Sequence, residues 1–222
     1  MKRAKVAIVD YGICNMFSVQ HACTKVGLEA MITASLPEIE AADGIILPGV
    51  GAFGDAMDEL KKRDLVSPLR DLARSGKPFF GICLGYQLLL SESEEFGNHK
   101  GLDIIPGRVV RFESPREGDQ ILNVPHVGWS QVLRPHSVVW EGTPLEGVPE
   151  KEFVYFCHSF HIVPERPEVA LSRTRYGHYD FVSSLREGNI FAFQFHPEKS
   201  GPIGIKMYQK MAEIIQQSQE NL

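Results

Sequence analysis

The stretch Phe79-Phe80-Gly81-Ile82-Cys83-Leu84-Gly85-Tyr86-Gln87-Leu88-Leu89-Leu90 decides how the rest of this chain is read. Lys77 and Pro78 lead into an apolar run with the character of a buried strand. A helical apolar pattern follows at Leu84, Leu88 and Leu89. Cys83 stands between them, flanked by Gly81 and Gly85. Strand, sharp turn and helix, with a nucleophilic side chain between two glycines, form the nucleophile-elbow pattern with Cys in place of Ser. A side chain at either glycine would crowd the neighbouring strand or helix as the chain reverses. The amides that open the helix at Leu84 point at the sulfur, which favours a thiolate and offers a donor to a developing oxyanion. A small buried apolar cysteine satisfies the same stretch, so the remaining sequence has to choose.

Upstream, Lys5–Asp10, Leu28–Thr33 and Asp43–Leu47 read as buried strands. Helical patterns separate them. One covers Asn15–Lys25, with Phe17, His21 and Thr24 on one face and Gly27 as its stop, and another covers Asp55–Arg74 with a break at Ser67-Pro68. Strands alternating with helices predict a parallel, doubly wound sheet through about residue 95. Beyond it the texture changes. Gly107–Phe112, Val127–Leu133, Phe153–Phe160, Val169–Tyr176, Phe181–Arg186 and Ile190–Phe195 read as strands with little helix between them, before a last helix over Pro202–Gln217. The expected fold class is therefore α/β: a parallel doubly wound central sheet with antiparallel or mixed strands added in the C-terminal half, as one domain over residues 1–222.

Composition excludes several functions. The 222 residues carry a net charge of −5 and no Lys/Arg-rich run, so nucleic acid is not an expected partner. The apolar run after the basic start is broken by Asp10, too soon for a signal peptide or a membrane span. The four cysteines, at 14, 23, 83 and 157, have no CxxC spacing and are expected as reduced thiols in the cytoplasm. The histidines outside the C-terminal His-Pro-Glu are scattered, with His158 and His161 off one face of a predicted strand, so neither a metal nor another cofactor is expected. Gly49-Val50-Gly51-Ala52-Phe53-Gly54 is a literal G-x-G-x-x-G, but it follows the third strand and lacks the acid that a dinucleotide fold needs. A loop presenting backbone amides beside Cys83 suits it better.

Near the end stands Phe191-Ala192-Phe193-Gln194-Phe195-His196-Pro197-Glu198. An apolar strand delivers His196 to its tip, and Pro197 stops further ladder pairing. Glu198, two residues on, leans to the same side in extended geometry. A carboxylate there accepts the imidazole N–H, and the other ring nitrogen faces a thiol. Cys83, His196 and Glu198 thus fit the roles of nucleophile, base and orienter.

With these residues, Gly81–Leu89 and Phe195-His196-Pro197-Glu198 together, the chain resembles the class I (triad) glutamine amidotransferases. Pro48–Phe53, Pro125-His126-Val127-Gly128-Trp129 and Tyr155-Phe156-Cys157-His158-Ser159-Phe160 are similar to the branch that serves as glutaminase subunits of imidazole glycerol phosphate synthase. The resemblance runs nearly end to end. It implies hydrolysis of L-glutamine here, with the ammonia used by a separate (βα)₈-barrel cyclase subunit in histidine biosynthesis. Carried over by position, it implies Cys83, His196 and Glu198 as the triad, and Gln87, Glu95 and Ser159 as glutamine-binding residues. It also implies an oxyanion site at Gly49, Val50, Gly51 and Leu84, and a partner face including Asn15, Trp129 and Tyr155. In such relatives the peptide in the Gly49–Gly51 turn must reorient before its amide points inward. Departures from the family's pattern are Cys14 before Asn15, Ser130 after Gly128-Trp129, and Ala192 where glycine is common. Two alternatives fit the same residues. One is a paralogous subunit feeding ammonia to a sugar-amidating synthase of surface-polysaccharide biosynthesis; the other is a catalytically silent Cys-elbow binding module.

Overall fold

A computed structural model of the protein describes residues 3–12 and 16–220. The chain opens by alternating strands and helices: β1 (Lys5–Val9), α1 (Met16–Lys25), β2 (Glu29–Thr33), α2 (Leu36–Ala41), β3 (Gly44–Leu47), α3 (Phe53–Lys62), α4 (Val66–Arg74), β4 (Phe79–Ile82) and the short α5 (Leu84–Leu88). Strands β2, β1, β3 and β4 lie side by side and parallel. Strands β1, β3 and β4 read as apolar runs because both faces are covered, whereas the edge strand β2 is half-exposed and carries Glu29. Ala7, Val9, Ile45, Leu47 and Phe79 pack with Ile39, Leu60 and Leu69 of α2, α3 and α4. Val6, Ile8, Ile46, Phe80 and Ile82 pack with Val19 of α1 and with Met207 and Met211 of α6 (Gly201–Glu220). The doubly wound arrangement is thus present.

The second half adds β5 (Leu90–Ser93), β6 (His99–Lys100), β7 (Ile105–Arg111), β8 (Arg116–Glu117), β9 (Gln120–Ile121), β10 (His126–Gln131), β11 (Phe153–His158), β12 (Phe160–Pro164), β13 (Ala170–Tyr176), β14 (Tyr179–Glu187) and β15 (Ile190–Phe193). The main sheet runs β2-β1-β3-β4-β15-β14-β12-β7-β5-β6, with β13 on β14. Beyond β15 the pairing is largely antiparallel, as β14 with β15, β12 with β14 and β7 with β12, although β5 and β7 run parallel. Strands β10 and β11 form a separate antiparallel ribbon. Among the described residues, no helix is long and apolar enough to cross a membrane.

Several expectations are corrected. The helical break falls at 63–65, not at Ser67-Pro68, because Pro68 sits in the first turn of α4, where no intrahelical N–H is required. Phe17, His21 and Thr24 do share a face of α1, but it is the exposed one; Val19, Ala22 and Cys23 are buried. Phe153–Phe160 is not one strand: the chain leaves the ribbon at Ser159 and joins the main sheet as β12, so His158 and His161 lie on different strands. The helix after Cys83 ends at Leu88, and Leu90 begins β5. The last strand stops at Phe193 and runs parallel to β4, with Phe79 opposite Ile190 and Ile82 opposite Phe193. Cys14 and Asn15 lie outside the described residues.

The elbow glycines are required by close approach. A methyl group at Gly85 would overlap the Leu47 carbonyl of β3, and one at Gly81 would stand 3.0 Å from Ala192 Cβ. Gly85→Ala is therefore expected to lower stability by about 1–3 kcal/mol, read as a lower denaturation midpoint. An unchanged midpoint would show that the elbow yields without cost.

Candidate active site

Parallel strands β4 and β15 end together, and the functional side chains follow from that. Cys83 is the first residue past β4, and its N–H donates to Phe193 O at 2.8 Å. Its backbone, at φ 54° and ψ −107°, lies in a region that non-glycine residues seldom adopt. The turn lifts Sγ off the strand and places it at the N-terminus of α5. Strain of this kind costs about 1–3 kcal/mol and persists only where the surroundings fix it.

His196 lies three residues past β15 and is pinned by the ribbon: its N–H donates to Tyr155 O at 2.9 Å, and Ser200 Oγ donates to its carbonyl at 2.7 Å. Residues Pro197–Lys199 form a 3-10 turn rather than an extended segment. The turn, and not strand alternation, brings Glu198 Oε1 to 2.7 Å from His196 Nδ1. A carboxylate only accepts, so Nδ1 carries a hydrogen and Nε2 is left for sulfur. Both side chains are almost sealed from solvent, at 4% and 2% exposure. Burial pulls the His196 pKa down. The charge and hydrogen bond of Cys83, followed by those of Glu198, more than reverse this and raise it to about 10.

These groups open on a cavity of about 280 Å³. Val50, Gly51, Cys83, Leu84, Gln87, Glu95, Ser159 and His196 all line it, whereas Gly49, Glu198, Trp129 and Tyr155 do not. Gln87 is buried, with its Nε2 donating to Phe160 O at 3.0 Å and to Gln194 Oε1 at 2.9 Å. Glu95 accepts from the Phe53 N–H that opens α3, at 2.7 Å. Desolvation raises its pKa, partly offset by that hydrogen bond. Trp129 and Tyr155 face each other across the ribbon, ring centroids 6.1 Å apart, and Trp129 is 53% exposed beside exposed Val127 and Phe153.

The Gly49–Gly51 turn lies against the elbow. Gly51 has φ +96°, a conformation that favours glycine. The Leu84 N–H donates to Gly49 O at 3.3 Å. That peptide is trans, so the Val50 N–H on its far side is directed away from Leu84. In this conformation one of the two expected oxyanion amides is occupied and the other is turned out.

Sequence reasoning missed four residues here. Lys199 lines the cavity, with Nζ 5.8 Å from the centre of the Tyr155 ring. Gln194 touches Gln87 and approaches Cys83 Sγ to 4.0 Å. His126 and His158, paired across the ribbon, form a relay. His158 Nδ1 meets Phe160 O at 2.8 Å, its Nε2 meets His126 Nδ1 at 3.1 Å, and His126 Nε2 meets Ser130 Oγ at 2.8 Å. Because Phe160 O only accepts, the hydrogens are assigned in order along the chain, ending with Ser130 as donor. Burial lowers His126 to about 4 and His158 well below its ordinary value, so both rings are neutral. The relay was invisible because its members are close only through strand pairing. Of the other cysteines described, Cys23 is buried on the inner face of α1, where burial pushes its thiol up to about 12, and Cys157 is exposed. Among the described residues no group of His, Cys, Asp and Glu is arranged to hold a metal ion.

His196 is raised in the folded state above its ordinary 6.5, so its contribution to stability is complete below pH 6.5 and is lost as pH rises through about 10. An NMR titration of its ring in the intact chain should give a midpoint near 10. Glu198→Gln and Cys83→Ala should each lower that midpoint, since each removes a group that holds the proton on the ring. A wild-type midpoint near 6.5 would contradict the ion-paired geometry.

A model of the family "Glutamine amidotransferase class-I" matches residues 7–213. The chain is 43% identical over 212 residues to "Imidazole glycerol phosphate synthase subunit HisH" of Syntrophotalea carbinolica, covering 94% of this chain and 100% of that protein. It is 44% identical over 210 residues to the protein of the same name from Moorella thermoacetica, with 95% of each covered. Among solved structures, PurLQS from Thermotoga maritima superposes with a TM-score of 0.68 at 19% identity, over 97% of this chain and 99% of that one, a likeness of fold. The chain belongs to the class I glutamine amidotransferases and, within them, to the HisH family.

Proposed function

We propose that residues 1–222 act as one amidotransferase domain, the glutaminase subunit of imidazole glycerol phosphate synthase, working in the cytoplasm in histidine biosynthesis. The observation that carries the chemistry is a Cys–His–Glu alignment in an amino-acid-sized cavity: Cys83 at the elbow, His196 lining the same cavity with its proton held by the charge of Cys83, and Glu198 2.7 Å behind the ring. Cys83 thiolate attacks the carboxamide carbon of L-glutamine, and the carbonyl π electrons move onto oxygen. His196, protonated, gives its proton to the departing nitrogen, so ammonia leaves and a thioester remains. Water then loses a proton to His196 and attacks the thioester, which releases glutamate and restores the thiolate–imidazolium pair. The Glu198 carboxylate behind the ring stabilises the cation. Gln87 and Glu95 are proposed to bind glutamine's polar end, the carboxylate of Glu95 suiting an ammonium group, and backbone at Ser159 closes the pocket.

Amides of Leu84 and of the Gly49–Gly51 turn are proposed to hold the oxyanion once the Gly49–Val50 peptide rotates. The observed Leu84 N–H to Gly49 O bond supports a resting state in which that donor pair is withheld. One such donor is worth about 3 kcal/mol, roughly a hundredfold in rate. Ammonia free in water would be protonated and lost. The proposed acceptor is therefore a docked (βα)₈-barrel cyclase, forming a heterodimer whose contact includes Trp129, Tyr155 and Asn15.

Glutamate release should be low for the chain alone and rise about a hundredfold or more with the cyclase and its nucleotide ligand. Full activity in isolation would refute the gating, and stimulation only by a sugar-modifying synthase would reassign the partner. A diazoketone analogue of glutamine should label Cys83. Labelling at Cys14, Cys23 or Cys157 with Cys83 untouched would sink the assignment. Cys83→Ala should abolish turnover in a folded protein. His196→Ala should cost several orders of magnitude, and Glu198→Gln less.

A further inference from the structure

Every other described side chain on β15 and just past it, from Ile190 through Phe195, is apolar, yet Gln194 is completely buried among them. A sealed amide is costly unless its donors and acceptor are used. Its hydrogen bonds run to two residues of the proposed machinery, Gln87 and Cys83. We propose that Gln194 is a positioning residue that turns Gln87 toward the bound amino acid and presents one of its own amide hydrogens to the Cys83 sulfur. This rests on the glutaminase reading of the same site.

The orientation of both amides follows from one unambiguous group. The Phe160 carbonyl is backbone and only accepts, so the group 3.0 Å from it must be the NH₂ of Gln87. The second hydrogen of that NH₂ goes to Gln194, 2.9 Å away, which must therefore offer its oxygen. With both donor hydrogens spent inward, the Oε1 of Gln87 is its one group left for a ligand in the cavity that it lines. Rotating either amide by half a turn would set NH₂ against NH₂ or oxygen against oxygen. Gln194 thus locks Gln87 as an acceptor, the polarity that an ammonium or a carboxamide N–H of the substrate requires.

The same lock decides what faces the sulfur. With its oxygen engaged, Gln194 turns Nε2 toward Cys83 Sγ, at 4.0 Å. On its other side the sulfur meets the backbone carbonyl of Cys157 at 3.9 Å, an acceptor that opposes negative charge. The Gln194 amide is the neutral donor that balances it. His196 is left free to carry its proton to the leaving group, without being the thiolate's sole support.

The test uses the chain with its cyclase subunit for kinetics, and the same complex for alkylation of Cys83 by iodoacetamide across pH. Gln194→Met keeps the length and removes both polar groups. It should raise KM for glutamine about tenfold, the size of one lost hydrogen bond, and move the alkylation midpoint to higher pH. Gln194→Leu, with a different shape, should do the same. In a Gln87→Met background, Gln194→Met should add nothing to KM yet still move the alkylation midpoint. That outcome separates the two roles. Variants that melt at a lower temperature but keep wild-type KM and alkylation profile would reduce Gln194 to packing and overturn the proposal. Turnover retained by Cys83→Ala would instead overturn the glutaminase reading itself.

Discussion

The parallel pairing of β15 with β4 is the constraint on which the site depends. It brings residues more than a hundred positions apart in sequence to the same sheet edge, with Ile82 opposite Phe193 and the Cys83 N–H bonded to the Phe193 carbonyl. A slip of one residue would turn Phe191 and Phe193 to the opposite face and carry His196 away from the sulfur. Packing forbids the slip. Phe80 and Phe191 stack at 5.9 Å, and Ala192 fits against Gly81, where a larger side chain has no room. Core burial, worth roughly 1.5–3 kcal/mol for each large apolar side chain, holds the register and offsets the backbone strain at Cys83. The reactive geometry is thus a by-product of sheet register more than of any local preference.

Two histidine environments show how the same ring is set to opposite states. His196 is buried, which disfavours charge, yet it faces a sulfur on one side and a carboxylate on the other, and its proton is held to about pH 10. His126 and His158 are buried without an acid; they face each other, a backbone carbonyl and a hydroxyl, and remain neutral. Desolvation acts on all three, and the partner decides. The neutral pair is suited to fixing Phe160 and the floor of the cavity. The charged ring is suited to carrying a proton.

What was legible in the sequence was local. The elbow announces itself because strand, Cys83, two close-packed glycines and a helix start are contiguous, and His196-Pro197-Glu198 is a single turn. Even there the local physics was partly misjudged: Glu198 reaches the ring through a 3-10 turn that Pro197 starts, not through strand alternation. What was not legible is set by pairing at long range. Nothing in Phe153–Phe160 marks Ser159 as the point where the chain changes sheets, since apolar character continues on both sides. β15 has the composition of any buried strand, so its direction could not be read. Strands β6, β8 and β9 have two residues each, too short for periodicity to register. The role of Gln194 was not legible because its partners, Gln87 and Cys83, lie more than a hundred residues away in the sequence.

The Leu84 amide ties the fold to the control proposed for the site. Helix α5 is only five residues long, so its first N–H groups have no intrahelical acceptor and need another. The Gly49 carbonyl supplies one. An oxyanion at Cys83 would want the same donor, so the resting turn and the reacting substrate compete for one hydrogen. Rotating the Gly49–Val50 peptide removes the competitor and adds the Val50 N–H in a single motion, because carbonyl and N–H lie on opposite sides of one plane. The motion is feasible on the glycine side. Gly51 already holds a positive φ, whereas Gly49 is hemmed in by the Tyr11 hydroxyl and Leu84. Tyr11 in turn donates to the Pro48 carbonyl at 2.7 Å and so holds the start of the turn still. The proposed rotation would thus start from a held entry at Pro48 and end at Gly51, whose positive φ only glycine adopts readily. Under the proposed gating, an activator must bind the rotated form more tightly than the resting one.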